Sequence, residues 1–325
     1  MRRNLATLSI GDTPLNWQRI DTGYDGGTGW QHSGIAVLPD GDVVVAHPEG
    51  HDLVRISGTG ETVRIPTELT EMHCLTVTSD AGGEIRVWAA DNGHRFAHDS
   101  AVYGEIRRAG RVVTLRLDGT IAAELAQPDE FGRWSPTSVA LTEPQNPASD
   151  IWVADGYGQS LIHRYSADGT RLATLDGSAS GTPFDCPHGI LIRTGELYVA
   201  DRSNRRIVIL GLDGTYRRTL GEGVLDSPSS MAYFAGQLVV TELFGALAVF
   251  DGDRYVAHLG SSGRDHHVPG WPNRIDSSGR TVAPRVVDGI FNSPHGITAH
   301  DGALYLTEWM IGGRAVRLSA DLSRR

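Results

Sequence analysis

Three histidines offer the clearest chemistry in this sequence. His73 lies in M-H-C-L, His188 in C-P-H-G-I and His295 in S-P-H-G-I. Three neutral imidazoles with one position left open form the arrangement of a catalytic zinc site, with Zn–N near ~2.0–2.1 Å. Imidazole suits zinc first, with iron and nickel behind it. A lone histidine is ordinarily a side chain bonded to backbone. What singles out these three is where they fall in a repeat.

The repeat has six units. Each opens with a short apolar run, such as P-H-G-I-L-I at Pro187–Ile192. A second run follows, such as L-Y-V-A-D at Leu197–Asp201, and then a third, such as R-I-V-I-L-G-L-D-G at Arg206–Gly214. Aligned on the first run, one position reads Ser33, His73, Thr137, His188, Ser229, His295. Histidine therefore occupies units two, four and six.

A fourth run often completes a unit, as R-L-A-T-L does at Arg171–Leu175. Four strands per unit and six units predict an all-β, six-bladed β-propeller. The blades start near residues 33, 73, 137, 188, 229 and 295, and the chain from 1 to 325 reads as one domain. The last unit lacks a fourth strand, and N-W-Q-R-I (Asn16–Ile20) has the pattern to supply it and close the ring. First strands line the axis of such a ring, so the three imidazoles are expected to converge on alternate spokes.

Two insertions interrupt the rhythm, at 92–110 and 260–292. The first carries His94, Arg95, His98 and Asp99, and the second Asp265, His266, His267 and Trp271. Both read as loops without clear structure, rising from one face as covers.

Second runs end in His47, Asp91, Asp155, Asp201, Glu242 and Glu308. An acid in this place commonly caps a turn through backbone amides. Their position at the rim also makes them candidates for substrate contacts. We take His47, His94, Glu242, Glu308 and Trp309 as that set. Trp134, Trp271 and Trp309, with His94 and His98, form a possible wall for a sugar ring.

Composition narrows the classes. A net charge of -10 argues against nucleic acid as a partner. No stretch approaches the roughly 20 apolar residues of a membrane helix. Thr7, Ser9 and Asp12 interrupt the apolar start before a secretory core can form, so a cytoplasmic location is expected. Cys74 and Cys186 fit a reducing compartment and read as small buried filler, not as ligands. The expected partner is a small-molecule substrate.

N-H-L-type repeats are visible in A-D-R-S-N-R-R-I (Ala200–Ile207), in A-D-G-Y-G-Q-S-L-I (Ala154–Ile162) and in the two P-H-G-I starts. Within that class the chain resembles peptidyl-α-hydroxyglycine α-amidating lyase, best over Asp150–Gly214. The resemblance implies a six-bladed propeller with zinc held by His73, His188 and His295. It implies that Tyr157, in D-G-Y, acts on the substrate hydroxyl and that Arg202, in A-D-R, belongs to the same site. A second arginine of the family is absent, since A-H-P-E-G with His47 and Pro48 stands there. Gly296 replaces an aspartate that helps a structural calcium, which counts against calcium.

The residues themselves suit a zinc-dependent lyase cleaving a C–N or C–O bond of a small hydroxylated substrate. Tyr157 would serve as general base if zinc and Arg202 lowered its pKa. Arg202 would clamp a carboxylate. Two rivals share the fold: a metal-dependent, sugar-active lyase or hydrolase, and a non-enzymatic propeller that binds a protein.

Overall fold

A computed structural model of the chain describes residues 8–320, apart from residues 25–26, 80–81, 100–101, 129, 131, 262 and 264. Residues 1–7, on which the reading of the N-terminus partly rests, lie outside the described residues, as do short parts of both insertions.

The chain forms six antiparallel sheets of four or more strands, the first five built in sequence order from the axis outward. Blade one comprises Ile35–Val37, Val43–Ala46, Asp52–Ile56 and Thr62–Pro66. Blade two comprises Met72–Ser79, Ile85–Asp91, Arg111–Leu115 and Ile121–Glu124. Blade three comprises Ser138–Leu141, Ile151–Asp155, Leu161–Tyr165 and Arg171–Leu175.

Blade four comprises Pro187–Arg193, Glu196–Asp201, Arg206–Gly211 and Tyr216–Leu220. Blade five comprises Pro228–Phe234, Gln237–Glu242, Ala246–Asp251 and Arg254–Leu259. Blade six takes Pro294–His300, Ala303–Glu308 and Arg314–Ala320 from the C-terminal side. Its fourth strand is Thr13–Ile20, paired from Leu15 opposite Ala320 to Ile20 opposite Ala315. The N-terminal strand thus closes the ring, as the sequence predicts. No α-helix occurs among the described residues, and no helix there is long and apolar enough to cross a membrane.

Burial explains the sequence pattern. Middle strands such as Ile151–Asp155 and Arg206–Gly211 are buried along their whole length, because a neighbouring blade covers each face. The outer strand Arg254–Leu259 alternates between exposed and half-buried residues. One apolar cluster fills each of the six blade interfaces. The cluster between blades five and six includes Phe234, Val249, Leu306 and Val316, sealed by Ile10 and Leu15 from the N-terminal segment. Tyr24, Val45 and Tyr305 join blade six to blade one.

First strands pack against one another around the axis, with the sixth returning to the first. Below the histidines they enclose a cavity of about 400 Å³ lined by residues such as Val37, Val77, Ile192 and Tyr233.

The P-H-G-I signature is a β-bulge. In blade four Pro187 pairs with Asp201 and Ile190 with Val199, so His188 and Gly189 together oppose one residue. The same shift falls at His295–Gly296 in blade six and at His73 in blade two. A bulge re-aims a side chain, and here it turns the imidazole toward the axis. The glycine answers a close approach. A Cβ on Gly189 would lie 2.8 Å from Ser230 Cα and closer still to the Ser229 carbonyl of the next blade. Gly189→Ala is therefore expected to cost about 3 kcal/mol, the upper range for overpacking, read as a fall in the midpoint of denaturant unfolding.

The first insertion differs from the loop that its sequence predicts. His94–Asp99 and Val102–Arg107 pair as a hairpin, from His94 opposite Arg107 to Asp99 opposite Val102. Among its described residues the second insertion keeps only the two-residue strands Arg274–Ile275 and Thr281–Val282. The two reach the same face. Phe96 of the hairpin stacks on Trp30 at 4.5 Å between ring centroids, Trp30 lies 5.5 Å from Trp309, and Trp309 lies 5.9 Å from Trp271.

Candidate functional site

The structure brings His73, His188 and His295 together on the axis. Their ring centroids are 4.5 Å apart for His73 and His188, 4.6 Å for His73 and His295, and 5.0 Å for His188 and His295. All three are buried. The alternation along the repeat has a geometric reason. His73 Nδ1 donates to the Thr137 carbonyl at 2.6 Å, His188 Nδ1 to Ser229 at 2.7 Å and His295 Nδ1 to Ser33 at 3.3 Å. Each histidine leans on the equivalent residue of the next blade, so blades one, three and five supply carbonyl acceptors and small side chains while blades two, four and six supply imidazoles.

Those carbonyls settle the tautomer. A carbonyl can only accept, so each Nδ1 carries the proton, and in a neutral ring Nε2 is then a bare lone pair. Burial holds all three rings neutral: the pKa of His73 falls to about 3, and those of His188 and His295 lie well below the ordinary value. Yet His295 Nε2 and His73 Nε2 face each other at 3.1 Å. Two buried lone pairs aimed at one another repel, and a cation between them turns that repulsion into ligation. The donor set therefore fits a metal ion.

A fourth histidine joins the cluster. His32, with His73, His188 and His295, places a ligating nitrogen within 4.8 Å of the others, and the four can hold a metal ion. The sequence hides it because His32 immediately precedes Ser33, the residue that aligns with the spoke position. Its Nδ1 lies 3.3 Å from Oε1 of Glu71, a buried carboxylate two residues before His73. Burial, then the nearby Asp91, pushes Glu71 well above the usual carboxylate range. A bound cation acts on it in the opposite sense. Burial, followed by His73 and His295, likewise lowers His32. Nearness to a spoke position, one residue before Ser33 in Q-H-S-G and two before His73 in T-E-M-H, was the available sign of both residues.

Tyr157 and Arg202 stand beside the cluster. Tyr157 Oη is 3.0 Å from His188 Nε2, to which it can donate, and 3.4 Å from His32 Nε2. Arg202 donates through Nη1 to Tyr157 Oη at 3.1 Å and through Nη2 to Ser229 Oγ at 2.9 Å. Among the described residues Arg202 forms no ion pair, and its Nε is buried without a partner. Burial pushes the Tyr157 phenol up to about 12, with Arg202 offsetting only part of the effect. In the metal-free protein Tyr157 is therefore protonated at neutral pH and is not available as a base, while its hydroxyl can still donate a hydrogen bond.

Other expected contacts lie elsewhere. Glu308 is buried, with Oε1 accepting from the amides of Asn292 and Ser293 and Oε2 bound to Arg314. Glu242 Oε2 accepts from the amides of Asp226 and Ser227. Both fasten the entry of their blade's first strand, as Asp91 does through Thr70 and Glu71. Glu242 is near enough to Arg202 for the guanidinium to act on it against burial. Glu242 keeps one buried oxygen unpartnered, and burial raises its pKa to about 7.

His47 contacts Tyr24 and Glu49 and does not meet the cluster. His94 packs on Phe96 at the base of the hairpin. Trp309 does reach the site, 5.7 Å from His32. Trp134 does not belong to the wall, because it is buried between blades two and three against Val139 and Tyr165. Cys74 Sγ turns to Ser138 Oγ of the next blade at 3.5 Å, and neither cysteine falls in the histidine cluster.

Fold and site together define a six-bladed β-propeller with a histidine centre on its axis. No family model matches the chain, and no curated protein matches it closely. Solved structures do. A streptogramin B lyase matches with a TM-score of 0.58 at 16% identity, over 94% of this chain and 98% of the other. A catalytically inactive histidine-to-alanine variant of virginiamycin B lyase from Staphylococcus aureus, with quinupristin, matches with a TM-score of 0.54 at 15% identity, over 94% and 100%. A chain of a nidogen/laminin complex matches with a TM-score of 0.53 at 16% identity, over 82% and 85%. At these identities the likeness establishes the propeller. It does not single out the amidating lyase or the N-H-L repeat.

Proposed function

We propose that this chain is a metal-dependent lyase whose centre lies at the top of the channel. One observation carries the reading: carbonyl-locked imidazoles converge their bare Nε2 atoms within reach of a protonated phenol and an unpaired guanidinium. A protein-docking face has no use for that set. The neighbours include two lyases and a chain of a protein complex, so the fold by itself cannot choose, and the choice rests on the site.

Zinc is the metal we infer, held by His73, His188 and His295. When bound, it would polarise a substrate oxygen. The chain's own residues do the rest. Arg202 holds an anionic group of the substrate and keeps Tyr157 oriented. Cleavage at a hydroxylated carbon bonded to nitrogen breaks the C–N bond, forms C=O, moves one proton from the hydroxyl and places one on nitrogen. Tyr157 donates its proton to the departing nitrogen and recovers one from the hydroxyl, so it ends as it began. The same sequence serves a C–O bond. This gives Tyr157 an acid's role first and the base's role expected from sequence second. The two free cysteines suit a reducing cytoplasm, which is part of the same proposal.

The zinc-loaded protein should release glyoxylate from α-hydroxyglycine compounds or open the ring of a streptogramin B. A sugar-active enzyme is the second reading, favoured by Trp309 and Trp271 beside the cluster. Its test is formation of an unsaturated product from uronate-containing oligosaccharides. Zinc-bound protein that is silent on all three substrate classes would overturn the lyase reading.

A further inference from the structure

We propose that His32, backed by the Glu71 carboxylate, is a fourth protein ligand of the metal, so that the centre holds its ion through four imidazoles and would take a substrate oxygen as a fifth ligand. The inference rests on the metal reading above and concerns residues outside the repeat's spoke positions.

His32 is built into place. It follows Trp30–Gln31, which pairs with Met310–Ile311 of the segment after blade six's second strand. Gln31 is fully buried and donates through Nε2 to Tyr24 Oη at 2.7 Å and to the Ala46 carbonyl at 3.1 Å. The imidazole of His32 then lies over the other rings, 4.4 Å from His73 and 4.6 Å from His295 between centroids. A side chain anchored on two paired strands is positioned as firmly as the blade histidines.

Glu71 supplies the second observation. Its carboxylate is buried, and among the described residues no donor makes a hydrogen bond to either oxygen. Its nearest ring nitrogen is His32 Nδ1, 3.3 Å from Oε1. Its backbone is fixed on three sides: Glu71 N donates to Asp91 Oδ1 at 2.9 Å, and Glu71 O accepts from His73 N at 2.8 Å and Asn92 N at 3.3 Å. A buried acid without donors is an exception that asks for a cause. Metal-ligating histidines characteristically turn their second nitrogen to a carboxylate or carbonyl, which fixes the ring and strengthens it as a donor. His73, His188 and His295 use carbonyls, and His32 uses the carboxylate. With metal bound, all four rings would follow one rule: His32 Nδ1 would close its 3.3 Å approach to Glu71 as the other three Nδ1 atoms bond carbonyls. Glu71 is thus a positioning residue acting through His32.

The test titrates metal-free wild-type, His32→Ala and Glu71→Gln proteins with Co²⁺ and Zn²⁺ against a chromophoric chelator, and records cobalt d–d spectra and zinc X-ray absorption. Affinity should fall about 100-fold in His32→Ala and about 10-fold in Glu71→Gln, the span reported for disturbed ligand support. The imidazole number should drop from four to three in His32→Ala only. Should His32→Ala fail to fold, judged by thermal unfolding of the metal-free form, wild-type absorption and Glu71→Gln decide. A wild-type protein that binds metal through three imidazoles, with variant affinities and spectra unchanged, overturns this inference and leaves the lyase reading standing. A wild-type protein that binds neither metal overturns both.

Discussion

His188→Ala should yield a folded propeller that no longer retains its metal. The ring has two bonds to lose. Its Nδ1 contact to the Ser229 carbonyl leaves one buried acceptor unpaired, worth about 1–3 kcal/mol, which a ring with six apolar interfaces can absorb. Its Nε2 is a direct arm of the cluster, so metal affinity should fall by at least ~100-fold, the upper end of what even an outer-shell partner costs. Metal content by elemental analysis after purification without added metal reads the difference. His258→Ala is the control, since that histidine bonds Tyr255 on an outer strand of blade five, far along its sheet from the axis. Stoichiometric metal in His188→Ala would end the role of His188 as a ligand. Sub-stoichiometric metal in both wild type and variant would end the zinc reading.

That single residue also shows what the sequence discloses and what it withholds. The repeat is legible because each blade must bury the same strands against its neighbours, which imposes the same apolar runs six times. The alternation of Ser33, His73, Thr137, His188, Ser229 and His295 is legible because it sits on that frame. What the alignment withholds is the reason for it: the carbonyls of Ser33, Thr137 and Ser229 carry the hydrogen bonds, and backbone atoms have no letter. The bulge that aims His188 is hidden for the same cause, since pairing register is a relation between two strands.

His32 and Glu71 are missed for a different reason. Neither lies at a repeated position, and they come together only because the Trp30–Gln31 strand crosses to Met310–Ile311 at the far end of the chain. Glu242 and Glu308 show the capping role that their recurrence at strand ends suggests, since each holds the two amides that enter its blade's first strand.

The alternative to a catalytic Tyr157 is a packed aromatic whose hydroxyl only braces Arg202, and Tyr157→Phe separates the two. The substitution keeps the ring and removes the group that lies 3.0 Å from His188 Nε2 and 3.1 Å from Arg202 Nη1. If Tyr157 moves the proton during bond cleavage, kcat should fall by about 10²–10⁴-fold, the usual span for a general acid or base. KM and metal content should change little, because the phenyl ring still fills its place and the Nε2 atoms are untouched. If Tyr157 merely steadies Arg202, the loss should appear in KM, since a displaced guanidinium weakens substrate and transition state alike. Arg202→Lys should show that second pattern in either case, because an ammonium cannot donate to Tyr157 Oη and Ser229 Oγ with the geometry of a fork. A Tyr157→Phe enzyme with unchanged kcat would remove the phenol from the mechanism and leave the proton transfers to another group at the cluster.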